Sequence, residues 1–450
     1  MKIEIILSCL LLFNISKVVA QEVTQEPPIL SFNEAVKIAL EHNVTLNTQR
    51  NQLYANEAQR LQSYGMYLPS VGINNASLGK YSGQGQDPNN GDFVDLKYNY
   101  LNASIGANYI IFNGLNRQNT LRRFENQFMA QTSLVDRAKQ DAIFNVGNQY
   151  MQVMFDQELL KIAEENYAAQ TKLLDQIREY VDLGARPPVD LYNQDALAKT
   201  NEVAMIRARV NLQNDKSLLA QLLQLDPSQD FRVALPDWAI DQEFVKNNDL
   251  ENLYTLALTN RSDLKQAEYQ IKANRYSMRA ATSGYMPIIT AFGQYGSQYA
   301  SVFSGTFDEQ FTRKNPNLTY GLNVGIPLFD RFVTRTNRVV AKVALDNSVL
   351  LKENLEKSIK IDVQRSFRNY QAAIDNFEAS QALFLAGELA LKTQRESYEV
   401  GIASQVTLAL ANQTYVLSSA AKAQAEVTLT FQKILLEYAL GVLNVDALGK

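Results

Sequence analysis

Leu101-Asn102-Ala103-Ser104-Ile105-Gly106-Ala107-Asn108-Tyr109 alternates without a slip. Leu101, Ala103, Ile105, Ala107, Tyr109 and, two further on, Ile111 share one side; Asn102, Ser104, Gly106 and Asn108 share the other. The pattern returns later. Leu318, Tyr320, Leu322, Val324, Ile326 and Leu328 alternate with Asn317, Thr319, Gly321, Asn323 and Gly325. A period of two with one apolar face marks a half-buried strand. Each run has about the 9–11 residues that a tilted strand needs to cross a bilayer. A soluble sandwich alternates in the same way. Two features favour lipid: the opposite face is small and polar, as beside water, and the segments 82–95 and 302–316 are long and polar. Leu101, Ile105, Tyr109, Tyr320, Leu322 and Val324 are then expected to face lipid. Asn102, Ser104, Asn108, Thr319 and Asn323 are expected to face a lumen. Tyr98, Tyr100 and Tyr299 would suit an interfacial girdle.

Outward from these strands, the chain repeats. At an offset of 218, Ala39-Leu40 falls on Ala257-Leu258, Leu46 on Leu264 and Pro69 on Pro287. At 217, Phe112 meets Phe329, Gly184 meets Gly401, Leu191 meets Leu408 and Leu223 meets Leu440. A register this constant, at turns and breakers, means two equivalent halves. The expected organisation is a signal segment 1–20, a first repeat 21–226, a connector 227–248, a second repeat 249–443 and a tail 444–450. Each repeat opens with a helix (33–64, 250–283) stopped by Pro69 or Pro287. Strands follow at about 69–82 and 97–112, and at 287–301 and 317–329. Four strands are too few for a membrane barrel, whose minimum is about eight, and open edges in lipid leave costly amides. Several chains must therefore share one barrel: two would give about eight strands, three about twelve.

After the strands come long helices, 114–182 with return 188–225, and 331–400 with return 405–443. Proline is absent from Gly114 to Val181, a span that reaches roughly 100 Å as helix. Val146, Val153, Leu160, Tyr167, Leu174 and Val181 lie seven apart, and Val363, Tyr370, Phe377, Phe384, Leu391 and Tyr398 repeat them. A heptad seam with polar flanks coils helices around neighbours and does not build a thick core. At the far turns, Gly184 and Gly401 can take a left-handed C-terminal cap, and Pro187-Pro188 can open the next helix. These turns are the expected docking and gating end.

Hydrophobic residues make up 46% of the 450-residue chain, and the net charge of −4 gives no basic footprint for nucleic acid. Lys2, the apolar run Ile5 to Phe13 and Val18-Val19-Ala20 read as a secretory signal. The lone cysteine, Cys9, lies within it, so a mature chain would lack disulfides and thiol chemistry. The lone histidine, His42, has no second histidine to share a metal and reads as a solvated helix-end residue. Gly83-Gln84-Gly85 lacks a strand-to-helix setting and reads as a loop tip. No constellation argues for an enzyme or a cofactor. A periplasmic scaffold and a secreted enzyme on a helical stalk are the competing classes; the first ignores the strands and the second lacks residues to act with.

The chain resembles the TolC outer-membrane efflux family over nearly all of its mature length. The resemblance rests on Leu30-Ser31-Phe32-Asn33-Glu34-Ala35, Ala39-Leu40-Glu41-His42-Asn43, Leu68-Pro69, Ile111-Phe112-Asn113-Gly114, Ile326-Pro327-Leu328-Phe329-Asp330 and Tyr398-Glu399-Val400-Gly401, in duplicated order. It implies a mixed, mostly helical fold: a homotrimer with a 12-stranded outer-membrane β-barrel, four strands per chain, above a long periplasmic α-helical barrel. It also implies a Gram-negative outer-membrane location and a passive exit duct of a tripartite efflux or type I secretion system. The implied partners are a periplasmic adaptor, an inner-membrane RND or ABC-type pump and outer-membrane lipid. By position, the resemblance makes Gly184, Pro188, Asp190, Tyr398, Gly401, Thr407 and Leu410 the tip, gate and adaptor contact. Acidic ring positions of the family fall on Thr407 and Leu410, and an arginine falls on Ala403. A tip held by packing and hydrogen bonds, with Asp190 as its main charge, is therefore expected.

Overall fold

The computed structural model describes residues 27–86, 91–226, 230–236 and 249–443. The expected signal segment with Cys9, the tail, loop residues 87–90 and most of the connector, Trp238 included, lie outside them.

Each repeat begins with a broken helix. α1 (Phe32–His42) and α2 (Val44–Gly65) are separated at Asn43, whose side chain accepts from the Leu46 amide at 3.0 Å. An Asn side chain here satisfies a helix-start N–H that the ladder leaves orphaned. In the second repeat α5 (Leu250–Asn260) and α6 (Ser262–Thr282) break at Arg261. The single opening helix expected in each repeat is thus two helices. His42 closes α1, exposed beside Glu41.

Strands β2 (Ser70–Gln86), β3 (Phe93–Asn113), β5 (Ile288–Ala300) and β6 (Asn317–Gly325) form one antiparallel sheet in the order β2-β3-β5-β6. β2 and β6 are open edges. β6 stops before Ile326 because Pro327 has no N–H for a ladder, so Ile326 and Leu328 are not strand residues. A register shift between Ile110 and Phe112 bulges out Ile111, and Phe112 takes the apolar-side place expected of it.

The long helices α3 (Asn116–Asp182) and α7 (Val333–Glu399) have 67 residues each, and their returns α4 (Pro188–Leu223) and α8 (Gln405–Leu440) have 36 each. The duplication is therefore structural as well as sequential. Every residue of both heptad seams is buried or half-buried. The wall below the sheet keeps the sheet's order: α2 packs on α3, α3 on α6, and α6 on α7.

The thickest packing sits midway along the helices, as two cores at equivalent positions. One contains Phe32, Val146, Tyr150, Val153, Leu219 and Leu223; the other contains Val363, Phe367, Tyr370, Leu436 and Leu440. The first is closed by a short parallel pair that the sequence did not signal, β1 (Ile29–Leu30) with β4 (Arg232–Val233) inside the connector. Tyr150 staples it. Its hydroxyl lies 2.8 Å from the Leu30 carbonyl and 2.9 Å from the Ala234 carbonyl, and accepts from the Ala234 amide at 3.1 Å. Phe32 meets the rings of Tyr150 and Phe431 edge-on at 5.4 and 5.5 Å.

Nearby, on the seam between α3 and α4, buried Asp156 approaches Asp215. Burial first, then Asp215, pushes the Asp156 carboxyl up to about 7.

Tyr150→Phe removes a buried hydroxyl shared between the Leu30 and Ala234 carbonyls and the acceptor of the Ala234 amide, and should cost about 1–3 kcal/mol in equilibrium or thermal unfolding. The Asp156 carboxyl binds its proton more tightly folded than unfolded, so its contribution is complete below the ordinary value of 3.8, is lost progressively as pH rises from there, and is gone once pH passes about 7. Asp156→Asn should therefore raise the melting temperature relative to wild type more at pH 8 than at pH 5. An equal effect at both pH values would refute the shift.

Candidate functional site: the two faces of the sheet and the helical tip

Register decides which strand residues share a face. Leu101 pairs with Leu78 and Tyr299, Ile105 with Ile73 and Tyr295, and Tyr109 with Ala291. Ala291 in turn pairs with Leu322, and Ile289 with Val324. Paired residues in an antiparallel ladder project to the same side. Leu101, Ile105, Tyr109, Tyr320, Leu322 and Val324 therefore lie on one apolar face. Asn102 pairs with Ser77 and Gln298, Ser104 with Asn75 and Gly296, and Asn323 with Thr290. Asn102, Ser104, Asn108, Thr319 and Asn323 thus share the opposite, polar face. Two aromatic positions need correction: Tyr98 and Tyr100 pair with Tyr81 and Gly79 on the polar face, whereas Tyr299 alone of the three lies on the apolar one.

The far end of the molecule is built from two matched turns. Gly184 and Gly401 both take positive φ, +73° and +79°. At each, the amides that follow bond back to the last helical turn: Ala185 to the Tyr180 carbonyl at 2.8 Å, Ile402 to the Ser397 carbonyl at 2.9 Å. Only glycine takes this left-handed position without a Cβ penalty. Pro188 is the first residue of α4, where its missing N–H costs nothing. The equivalent start of α8 lacks proline and uses Ser404, whose Oγ accepts from the Thr407 amide at 3.2 Å.

Between the turns lies a polar network around Arg186. Its guanidinium stacks 4.2 Å over the Tyr398 ring, donates to the Tyr398 carbonyl at 3.3 Å, and approaches Asp190 Oδ2 at 3.6 Å. Gln405 Nε2 donates to the Asp190 carbonyl and to Gln194 Oε1, both at 3.2 Å. Gln194 donates onward to the Gln170 carbonyl at 3.1 Å and to its Oε1 at 2.9 Å. Arg186, Tyr398, Gln405, Gln194 and Gln170 line a cavity of ≈ 330 Å³ with Ile177 and Arg395. Tyr398 is 4% exposed and its hydroxyl has no hydrogen-bond partner. Burial raises its pKa against the opposing pull of Arg186.

Of the expected tip residues, Asp190 and Tyr398 meet through Arg186, while Gly184, Pro188 and Gly401 shape the turns. Thr407 serves the local α8 start, and Leu410 is 63% exposed outside the network. Sequence reading missed Arg186, Gln194 and Gln405. It looked for the tip arginine at Ala403 in the second repeat; the 217 offset places its counterpart, Arg186, in the first. Asp190, the main charge expected at the tip, has the Arg186 guanidinium beside it.

Among the described residues no helix is long and apolar enough to cross a membrane, a fact that says nothing about strands. No group of potential metal ligands occurs among them.

Comparison with known proteins agrees with this geometry. The profile of the outer membrane efflux protein family matches residues 35–224 and again 253–442. The outer membrane efflux protein BepC of Brucella suis biovar 1 (strain 1330) is 20% identical over 349 residues, covering 77% of this chain and 73% of that one. The outer membrane protein TolC of Escherichia coli (strain K12) is 23% identical over 364 residues, 78% and 72% of the two chains. Among solved structures, VceC of Vibrio cholerae superposes with a TM-score of 0.77 at 15% identity, over 91% of this chain and 96% of that chain. The CmeC channel of Campylobacter jejuni gives 0.79 at 16% identity, over 92% and 86%.

Two substitutions separate the tip contacts. Tyr398→Phe deletes a buried hydroxyl that has no partner and should leave stability within about 1 kcal/mol of wild type or slightly above it. Arg186→Ala removes the bridge and should speed amide exchange at 180–190 and 397–408 roughly tenfold, leaving exchange around Tyr150 unchanged. Unaltered tip exchange would refute the bridging role.

Proposed function

The chain belongs to the outer membrane efflux protein family, and on that footing we propose that three copies join edge to edge as a passive exit duct. It is an outer-membrane protein with a periplasmic helical extension. The observation that carries the proposal is the open four-stranded sheet with segregated faces. Twelve strands from three copies close a barrel, with Leu101, Ile105, Tyr109, Tyr320, Leu322 and Val324 towards lipid. Asn102, Ser104, Asn108, Thr319 and Asn323 then line the water-filled bore. The helices continue the wall into the periplasm, and the 67-residue length of α3 and α7 reaches roughly 100 Å.

Substrate enters at the tip from an inner-membrane pump of the RND or ABC type, guided by a periplasmic adaptor. The turns at Gly184-Pro188 and Gly401 form the adaptor's contact, and the Asp190, Arg186 and Tyr398 contacts hold the tip narrow. Nothing in this path requires chemistry by the chain; the pump supplies the energy and the chain supplies the route. Asp190, drawn towards Arg186 at 3.6 Å, keeps the entrance charge partly compensated.

Planar-bilayer recording with single-cysteine variants tests the assignment, since the only native cysteine, Cys9, falls in the segment expected to be removed. A charged thiol reagent should reduce conductance of Asn102→Cys and Asn323→Cys and leave Leu322→Cys unaffected. The reverse pattern would invert the faces, and no conductance at all would remove the duct. Asp190→Asn should weaken block by divalent cations added on the tip side; unchanged block would clear Asp190 of any role in the pore.

A further inference from the structure

The second repeat carries a cationic face that the first repeat lacks. On α6, Lys272, Arg275 and Arg279 form one exposed stripe; Arg331 just before α7, with Arg335 and Arg338 in its first turns, are exposed as well. None of the six has a carboxylate partner among the described residues. The equivalent first-repeat positions hold Tyr54, Glu57, Leu61, Gly114, Gln118 and Leu121. The duplicated fold therefore does not need these charges.

Their position follows from chirality. Asn99 lies on the apolar side of β3, two residues before Leu101, and its carbonyl accepts from the Ser301 amide at 2.9 Å. Backbone groups of apolar-side residues on β3 thus point to β5. For L-residues, with the apolar face towards a viewer and the helices below, β5 then stands left of β3. Helix α7 accordingly descends with α6 on its right. Buried Thr334, which abuts Gly284, and buried Ser348 mark the α6 side of α7. A right-handed helix descending past a right-hand neighbour next turns towards the viewer. At roughly 100° per residue, Arg335 and Arg338 fall about 60–120° beyond the α6 side, and so face outward; Arg331 precedes the helix, with a left-handed φ of 53°.

The α6 stripe points the same way. The Lys352 to Glu268 ion pair at 3.1 Å joins the two helices on this side, while Asn274, opposite the stripe, donates to the Ala344 carbonyl at 3.3 Å. The cations thus continue the sheet's apolar face. Arg279 is nine residues before β5 and Arg331 six after β6, within about 15 Å below the sheet.

We propose that this face is a collar that binds the phosphate headgroups of anionic phospholipid in the leaflet nearest the periplasm. The inference rests on the reading that the apolar face meets lipid. Arginine suits the role: its planar fork binds phosphate oxygens in pairs. Clustered basic side chains beside a bilayer attract anionic lipid in a salt-dependent manner. Because the first repeat has no cation at the matching positions, a trimer would carry three such patches, so bound lipid is localised, not a continuous ring.

Purified trimer mixed with equal amounts of phosphatidylglycerol and phosphatidylcholine in detergent, then weighed by native mass spectrometry, tests this. Wild type should retain the anionic lipid at least fivefold over the zwitterionic one, and 0.5 M salt, about a 4 Å screening length, should erase the preference. The combined Arg331→Gln, Arg335→Gln, Arg338→Gln variant should drop below twofold with conductance unchanged. Lys272→Gln, Arg275→Gln, Arg279→Gln provides the same test should the first variant not fold. No preference in wild type, or an undiminished one in both variants, overturns the proposal. So does a variant that falls apart into single chains while surviving trimers keep their preference, because the cations would then serve contacts between copies. A channel that conducts normally without lipid preference sinks only this inference; a chain that never conducts sinks the duct.

Discussion

An unfinished sheet governs everything else in this molecule. β2 and β6 are edges, and β6 alone leaves about half of its nine residues with backbone N–H and C=O groups pointing at nothing. In hydrocarbon each such group costs several kcal/mol, so two bare edges would cost tens. That exceeds the net stability of ordinary domains, which is about 5–15 kcal/mol. No side-chain adjustment repairs a backbone deficit of this size. Only pairing with another strand does, and the chain has no fifth strand in this sheet among its described residues. Given the outer-membrane location, the need for other copies to complete the sheet follows from that deficit.

The helical part obeys a gentler version of the same rule. A one-helix-thick wall cannot bury a broad apolar face, so its seams are narrow heptads and its flanks are polar. Substantial cores form only midway, where α1 and α5 lie over the long helices and Phe32, Tyr150 and Phe431 interlock. The tip has no comparable core. It is held by a small cluster around Ile177, Leu391 and Leu408 plus the Arg186 network. An end secured by few contacts opens at lower free energy than the middle.

Much of this was legible in the residues, for stated reasons. Strand alternation survives because each face meets a different solvent, and the heptads survive because each helix meets neighbours on two flanks only. The constant 217–218 offset exposed the duplication, and equal helix lengths of 67 and 36 residues now match it. What escaped was non-local or single-residue. The β1–β4 pair joins residues about 200 apart with two-residue strands that carry no pattern. The Ile111 bulge shifts a face by one residue, and alternation alone cannot reveal it. Asn43 is a readable cap, but the apolar spacing runs on past it. For Tyr98 and Tyr100, parity with Asn102 decides the face and residue type does not. The resemblance places the tip arginine in the second repeat, whereas Arg186 lies in the first.

Native mass spectrometry of the detergent-extracted protein tests the central claim most directly. The account predicts one dominant assembly of three chains. A dominant folded single chain within the detergent micelle would contradict it, because the two strand edges would then be tolerable unpaired in an apolar medium and nothing would compel a shared barrel.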